Sequence, residues 1–287
     1  MKNTGQQYAR DSSRSTSGLR AFIGLLCWCA VLTASANAQV SVLNFDDITT
    51  GWSQCTGPSC AGGTGNPTST SQTFGNTPSL DSGSMLLQES GPASSNNGWF
   101  YNAGKNNAAT GFTLDLQFNI PPGQNIQALE FDQFQYLFAG DGGVTANTRL
   151  FFGTQCLPGH NWQVWDSSGN GFWVDTGMAC NYVVSSTAFN HLIIAVHRVA
   201  GDTSCLNSYP CMYYTITLNG TLIVPNKKTN SGALPSTFGE QTGLMIQLDT
   251  SSGCGSACTI REYIDNGIFL ATNIPWWPAI QQILLDD

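Results

Sequence analysis

The stretch GFTLDLQFNI, residues 111–120, puts Phe112, Leu114, Leu116, Phe118 and Ile120 at every second position, with Thr113, Asp115, Gln117 and Asn119 between them. Successive side chains of an extended strand point to opposite faces, so this alternation predicts a strand with one face in a core and one in water. Runs of the same kind recur at 86–89, 99–102, 128–137, 148–156, 162–166, 172–175, 191–200, 213–218, 222–224, 244–249 and 260–270, separated by Gly, Asn, Ser and Pro clusters. About a dozen short strands exceed an immunoglobulin domain and suit an all-β, two-sheet antiparallel jelly-roll sandwich. Asn219-Gly220 between two strand runs is a type I′ hairpin signal, and 166–171 closes a longer hairpin. No long helix is predicted in this region.

Composition removes several classes. The 287 residues carry 10 Lys+Arg against 18 Asp+Glu, a net charge of -8, and only 10% are charged. Such a chain offers no basic patch that could release phosphate counterions, so nucleic acid is excluded as a partner. Aromatic residues at 11% with recurrent apolar runs exclude disorder.

The first residues read as an address. Lys2, Arg10, Arg14 and Arg20 precede an apolar run at 21–34, and Ala36-Asn37-Ala38 has the A-x-A form of a cleavage site. The apolar run is shorter than the ~20 residues a transmembrane helix needs. Residues 1–38 are therefore expected to be a signal peptide, leaving a secreted chain, extracellular or periplasmic, without a membrane span. Its eight remaining cysteines suggest sequential disulfides, Cys55 with Cys60, Cys156 with Cys180, Cys205 with Cys211, and Cys254 with Cys258. Residues 39–272 read as one β-sandwich domain. Within it, 51–83 is rich in Gly, Ser, Thr and Asn and reads as a long disulfide-clamped loop. A short tail, 273–287, carries Pro275-Trp276-Trp277-Pro278 and a brief apolar segment.

Four segments carry a family resemblance: LEFDQFQ at 129–135, NHLIIAVHR at 190–198, the hairpin at 213–224, and YIDNG at 263–267. Together they resemble the concanavalin A-like lectin/glucanase superfamily. The order FGTQC at 152–156, W-x-V-W-D at 162–166 and W-V-x-T-G at 173–177 is similar to secreted bacterial jelly-roll proteins. The resemblance implies a disulfide-stapled sandwich, in a superfold that hosts lectins, hydrolases, lyases and adhesion modules. Family 16 glucanases of this superfamily carry E-x-D-x-E or a bulged E-x-D-x-x-E. Here the bulged form would run from Glu130 through Asp132 to Gln135, an amide where the acid/base glutamate stands. An amide cannot protonate a leaving oxygen, so the comparison leans away from an enzyme. If there is catalysis, Glu130 and Asp132 are its candidates; otherwise they line the face opposite Leu129 and Phe131, bonded to Arg149 on a neighbouring strand, and all three join the ligand-binding set. Lyases of the superfamily use Tyr and His, which here would be Tyr136, His191 and His197.

The binding reading rests on aromatic platforms beside acids and amides, which match the flat apolar faces and hydroxyl edges of sugars. Counting back from the 166–171 hairpin pairs Val164 with Trp173 and Trp162 with Asp175. That register places Trp162, Trp173, Asp166 and Asp175 on one face and sends Trp165 to the other. No cofactor is expected beyond structural calcium on Asp46, Asp47 and Asp265. The loop after Asp166 opens like an EF-type site, but Gly177 stands where the bidentate Glu belongs. The sequence thus points to a non-catalytic protein that binds carbohydrate or another surface polymer. The alternatives are a polysaccharide hydrolase or lyase on the Glu130/Asp132 face, and a structural or adhesion protein without a small ligand.

Overall fold

The computed structural model describes residues 40–57, 65–141, 144, 146–167, 172–199, 205, 211–230, 232–233 and 238–273, all within the unit Ala38–Asp287. The expected signal peptide, Cys60, and the tail beyond Asn273 lie outside the described residues. Two antiparallel sheets face each other. The eight-stranded sheet runs β3 (Ser69–Asn76), β4 (Ser84–Gly91), β17 (Cys258–Thr272), β6 (Gly111–Asn119), β12 (Asn190–Arg198), β13 (Cys211–Leu218) and β14 (Thr221–Asn230), and β1 (Val40–Leu43) also pairs with β17. The nine-stranded sheet runs β2 (Trp52–Thr56), β5 (Asn96–Gly104), β16 (Thr242–Thr250), β7 (Ile126–Leu137), β9 (Thr154–Cys156), β10 (Asn161–Asp166) and β11 (Phe172–Ala179). Its β8 (Thr148–Phe152) pairs with both β7 and the short β15 (Gly232–Ala233). The described residues contain no α-helix, and none of their helices is long and apolar enough to cross a membrane.

The alternation in β6 does what period 2 requires. Phe112, Leu114, Leu116 and Phe118 are buried between the sheets and lie beside Leu192, Ile194 and Val196 of β12. From the other sheet, Leu129 and Phe131 of β7 and Leu244, Ile246 and Leu248 of β16 join the same cluster. Ring pairs bridge the layers, Phe112 with Phe152 at 4.8 Å and Phe118 with Phe131 at 5.3 Å. Asn219 and Gly220 both have positive φ, 50° and 75°, as the type I′ turn between β13 and β14 needs.

One expectation is corrected. The segment 51–83 is not a long loop, because it contributes β2 and β3 at the far edges of the two sheets. An edge strand is half solvated, so Ser, Thr and Gln can form it without the apolar alternation that marks an inner strand. Among the described residues, three disulfides join Cys156 to Cys180, Cys205 to Cys211 and Cys254 to Cys258. The first has its Cα atoms 5.4 Å apart and ties the end of β9 to the end of β11.

Two carboxyls are turned inward. Glu89 of β4 accepts a hydrogen bond from the Ser95 hydroxyl at 2.7 Å, yet burial pushes its pKa to about 7. Glu262 of β17 is fully buried with no hydrogen-bond partner for either oxygen among the described residues, and burial holds it well above the carboxylate range. Asp46, raised by burial to about 6, accepts from the backbone amides of Gly267 and Asn266.

Two outcomes follow. Replacing Cys156 and Cys180 together by alanine should lower unfolding free energy by about 2–4 kcal/mol, read from denaturant midpoints against the same variant of Cys205 and Cys211, whose loop is shorter. Stability should also fall as pH rises. A carboxyl with a raised folded-state pKa keeps its proton when folded while the unfolded chain has lost it, so its stabilising contribution is full below about pH 4 and is lost up to about pH 7. For Glu89 this is on the order of 3 kcal/mol, and Glu89→Gln should flatten the decline in midpoint between pH 5 and pH 8. Exposed Asp81, held low by the Gly83 and Ser82 amides, acts the other way only at lower pH. A midpoint that climbs from pH 5 to pH 8 would contradict the burial argument.

Candidate functional site: the outer face of the nine-stranded sheet

Strand β7 sends Leu129 and Phe131 inward, so Glu130, Asp132, Phe134 and Tyr136 point to the opposite, outer face. Antiparallel pairing then fixes their neighbours. Gly98 of β5, Gln247 of β16, Glu130 of β7, Gln155 of β9, Gln163 of β10 and Asp175 of β11 stand directly opposite one another in succession. The result is one polar rung across the sheet, in which the Gln155 amide donates to the Gln163 side-chain oxygen. The neighbouring rung is aromatic at its ends. It runs from Phe100 through Met245 and Asp132 to Gly153, then Trp165 and Trp173.

Asp249 stands diagonally beside Glu130, with its carboxylate accepting from the Gln247 amide at 3.2 Å. Glu130 and Asp249 share a hydrogen bond, and both are pushed up, chiefly by burial. Their mutual charge adds to the shift of Glu130. The pair therefore retains a proton near neutral pH. Asp132 is fully buried and raised by the same cause, although the Thr154 amide donates to it at 3.0 Å. Glu130 Oε2, Asp132 Oδ2 and Gln247 Oε1 are buried without a hydrogen-bond partner among the described residues.

A second apolar cluster covers the rest of this face. Phe100, Phe134, Phe151, Phe238 and Met245 pack together, and Trp165 and Trp173 close its edge half-buried. Phe238 caps Phe100 and Phe134 at 4.7 and 5.2 Å. The indoles of Trp165 and Trp173 meet edge to face at 5.4 Å. Gly153 makes that possible, because a Cβ there would lie 2.5 Å from the Phe151 ring and 2.8 Å from the Trp173 ring.

The structure corrects the expected register of the β10–β11 hairpin. Trp165 pairs with Trp173 and Gln163 with Asp175, because Asp166 pairs with Phe172 and leaves 167–171 as the loop. One residue of difference reverses the faces. Trp162 is therefore fully buried in the core, 6.5 Å from the Phe131 ring, and Trp165 takes the outer position. Trp173 and Asp175 stay on the outer face. Asp166 is spent on the Asn230 backbone and side-chain amides. Arg149 is not a partner of Glu130 or Asp132. It donates to the Gly239 carbonyl at 2.7 Å and stacks 5.1 Å above Tyr136.

The bulged glucanase pattern fails as well. The pairing of β7 with β16 is unbroken from Ala128 to Phe134, so Phe134 follows Asp132 on the outer face. Gln135 points into the sandwich, donating to the carbonyls of Asn106 and Ala109. The Tyr/His set is divided between opposite sides. Tyr136 is on this face, while His191 binds Asp115 at 2.7 Å and His197 stacks on Tyr213 on the outer face of the other sheet.

No protein-family model and no curated protein matches the chain. Solved structures do. A carbohydrate esterase from Shiga toxin-encoding bacteriophage phi24B is similar at 16% identity and TM-score 0.42, over 79% of this chain and 92% of that one. The Emp47p carbohydrate recognition domain is similar at 11% and 0.40, over 82% and 96%. An alginate lyase from Chlorella virus is similar at 10% and 0.41, over 71% and 88%.

The expected calcium ligands are occupied differently. Asp46 and Asp265 are near each other, but Asp46 holds the amides of Asn266 and Gly267 and Asp265 accepts from the Leu80 amide at 2.6 Å. Asp47 is exposed. Among the described residues no group of three His, Cys, Asp or Glu is placed to hold a metal ion, so the donor set does not fit one. Gln247 and Asp249 were missed by motif reasoning. Their signal was the alternation in LMIQLD at 244–249, whose polar members fall on the face opposite Leu244, Ile246 and Leu248.

The close packing at Gly153 gives a test of the outer face. Gly153→Ala should cost about 1–3 kcal/mol through overpacking and should shift the near-ultraviolet dichroism of the tryptophans. An unchanged spectrum would mean that Trp173 does not lie over Gly153.

Proposed function

We propose that this is an exported protein that binds a carbohydrate chain, or another hydroxyl-bearing surface polymer, on the outer face of its nine-stranded sheet without cleaving it. The observation that carries the reading is the accessible end of the polar rung, Gln163 and Asp175, set beside the half-buried Trp165 and Trp173, with Gln155, Glu130 and Gln247 buried further along the same rung. Amides and carboxyls can exchange hydrogen bonds with hydroxyls, and indoles supply flat apolar surface. Export is supported by the basic leader, the apolar run and the A-x-A site before Gln39. Three disulfides suit an oxidising compartment.

The Glu130–Asp249 contact supports the reading without cleavage. A retaining glycosidase separates its two carboxyls by ~5–5.5 Å and an inverting one by ~6.5–9.5 Å. Glu130 and Asp249 instead touch and share a proton, which leaves no room for a glycosidic centre between them. One observation favours a hydrolase all the same, since burial keeps this pair protonated near neutral pH as a general acid must be. Sugar release separates the two readings.

The chain from residue 39 to 287 should be retained on insoluble polysaccharide and release no soluble sugar. Trp165→Ala/Trp173→Ala should weaken retention at least about tenfold, the scale of one lost stacking or hot-spot contact. Trp162→Ala should instead lower stability by about 3–5 kcal/mol, as a core truncation. Sugar release that disappears in Glu130→Gln would replace binding by hydrolysis, and retention untouched by the double tryptophan variant would displace the site.

A further inference from the structure

Four connections meet at one end of the nine-stranded sheet. There β5 starts at Asn96, β16 ends at Thr250, β7 starts at Ile126, and residues 157–160 join β9 to β10. These strands are neighbours in the order β5, β16, β7, β9, β10, so their pairing sets side by side connections that are distant along the chain. A cavity of about 440 Å³ lies among them. Ile126 is buried and Leu157 and Pro158 half-buried, and these three supply its apolar surface. The rest of the lining is polar and comes from all four connections: Ser94, Gln127, His160, Ser251 and Ser252. None of these residues belongs to the polar rung or to the aromatic layer of the outer face.

The backbone around the cavity is tied down. The Ser94 amide donates to the Thr250 carbonyl at 3.0 Å, the Ser251 amide to the Asn125 carbonyl at 2.8 Å, and the His160 amide to the Leu157 carbonyl at 2.9 Å. The Cys156–Cys180 disulfide adjoins 157–160, and the Cys254–Cys258 disulfide adjoins Ser251 and Ser252. Ser94 has φ of 60°, in the left-handed region that a serine seldom adopts. Such a conformation persists only where the surroundings impose it, and it gathers at ligand sites. The side chains, in contrast, are left over. Within the described residues no hydrogen bond engages the side chains of Ser94, Gln127, His160 or Ser252, and the last three are exposed.

We infer that this cavity is a second binding site, separate from the outer face, for a short uncharged saccharide or the end of a neutral chain. Its lining contains no Lys, Arg, Asp or Glu, so an ion entering it would lose water without gaining a fixed counter-charge. Serine hydroxyls, a carboxamide and an imidazole each offer both a donor and an acceptor, and they meet sugar hydroxyls in either sense. The apolar residues cover the C–H face of a sugar ring, in the mixture of apolar wall and few polar groups that small-molecule sites share. The volume lies low in the range of such sites, ~300–1,000 Å³, which suits a short piece and not a chain running through. Walls already fixed by backbone bonds and disulfides lose little freedom on binding. The site stands whether or not the outer face binds a polymer.

The chain has three histidines, His160, His191 and His197, and the last two lie on the outer face of the other sheet. Their imidazole signals in nitrogen-15 NMR of the chain from residue 39 to 287 therefore give one reporter and two internal controls. The probes are cellobiose, maltose, lactose, xylobiose, mannobiose and chitobiose as neutral saccharides, with glucuronate, galacturonate and inorganic phosphate as anions. At least one neutral saccharide should shift the His160 signals to saturation while His191 and His197 stay in place. Ser94→Gly removes a hydroxyl at a φ that glycine adopts freely. Combined with Gln127→Ala it should weaken the titration about tenfold, as two lost hydrogen bonds imply, with the dichroism spectrum unchanged. The Trp165→Ala/Trp173→Ala variant should titrate like the parent chain. No response of His160 to any neutral saccharide, in a chain with a native spectrum, would overturn the site. A response to the anions alone would overturn the ligand class, and equal movement of all three histidines would reduce the effect to non-specific contact. Loss of the His160 response in the double tryptophan variant would overturn the separation from the outer face. Failure of that variant's parent to be retained on polysaccharide, with the His160 titration intact, would remove the outer-face function and leave this site standing.

Discussion

The pairing of β7 with β16 is the constraint on which the outer face depends. From Ala128 to Phe134 the register runs without a bulge, and it is pinned from inside. Leu129, Phe131, Leu244, Ile246 and Leu248 are all fully buried in one cluster. A slip of one residue would turn these five side chains out of the sandwich core and put Glu130, Asp132, Gln247 and Asp249 into it in their place. The polar rung is thus ordered by the core on the other side of the same strands. Its precision is borrowed from hydrophobic packing, and the residues of the rung need contribute nothing to stability to be held in place.

The other half of the face is ordered by volume. Gly153 and Gly243 stand on the strands that flank β7, where any larger residue would overlap the Phe151 and Trp173 rings or the Phe134 ring and the Tyr101 carbonyl. Missing side chains on these strands let neighbouring rings lie down on the sheet, so Phe134, Phe151 and Phe238 form a second apolar layer outside the sandwich core. That layer ends at Trp165 and Trp173, half-buried against it. An indole fixed by ring contacts on one side loses little further freedom when a ligand covers the other, which is the entropic condition for a useful stacking surface.

Much of this was legible in the sequence, and the limits have physical causes. Inner strands such as β6 announce themselves because one face must be apolar. Edge strands β2 and β3 did not, because a strand half open to solvent can be built from polar residues without strict alternation. The division of Leu129 and Phe131 from Glu130 and Asp132 followed from period 2 alone. The inward turn of Gln135 also follows from that period, once the strand is known to lack a bulge. A bulge is invisible to composition, so the glucanase comparison placed that residue on the wrong side. The same weakness moved Trp162, since a loop one residue longer than assumed reverses a hairpin's faces. Gln247, Gln155 and Gln163 could not be grouped at all from the sequence. Their adjacency exists only through pairing of strands that are distant along the chain.

Glu262 and Glu130 show what burial does to a carboxyl in two settings. Both have lost water, and both are pushed toward the protonated form. Glu262 faces the interior with no hydrogen-bond partner among the described residues, so its only response is to keep its proton, and its influence is confined to stability. Glu130 stands among Gln247, Gln155 and Asp249 and shares a hydrogen bond with Asp249, so its burial is partly offset by polar neighbours. Poor hydration strengthens each such bond and penalises any group left unpaired. The same burial that makes the fold most stable under mildly acidic conditions therefore also raises the carboxyls of the outer face. Acidification that steadies the interior through Glu89 and Glu262 also changes the number of protons shared by Glu130 and Asp249.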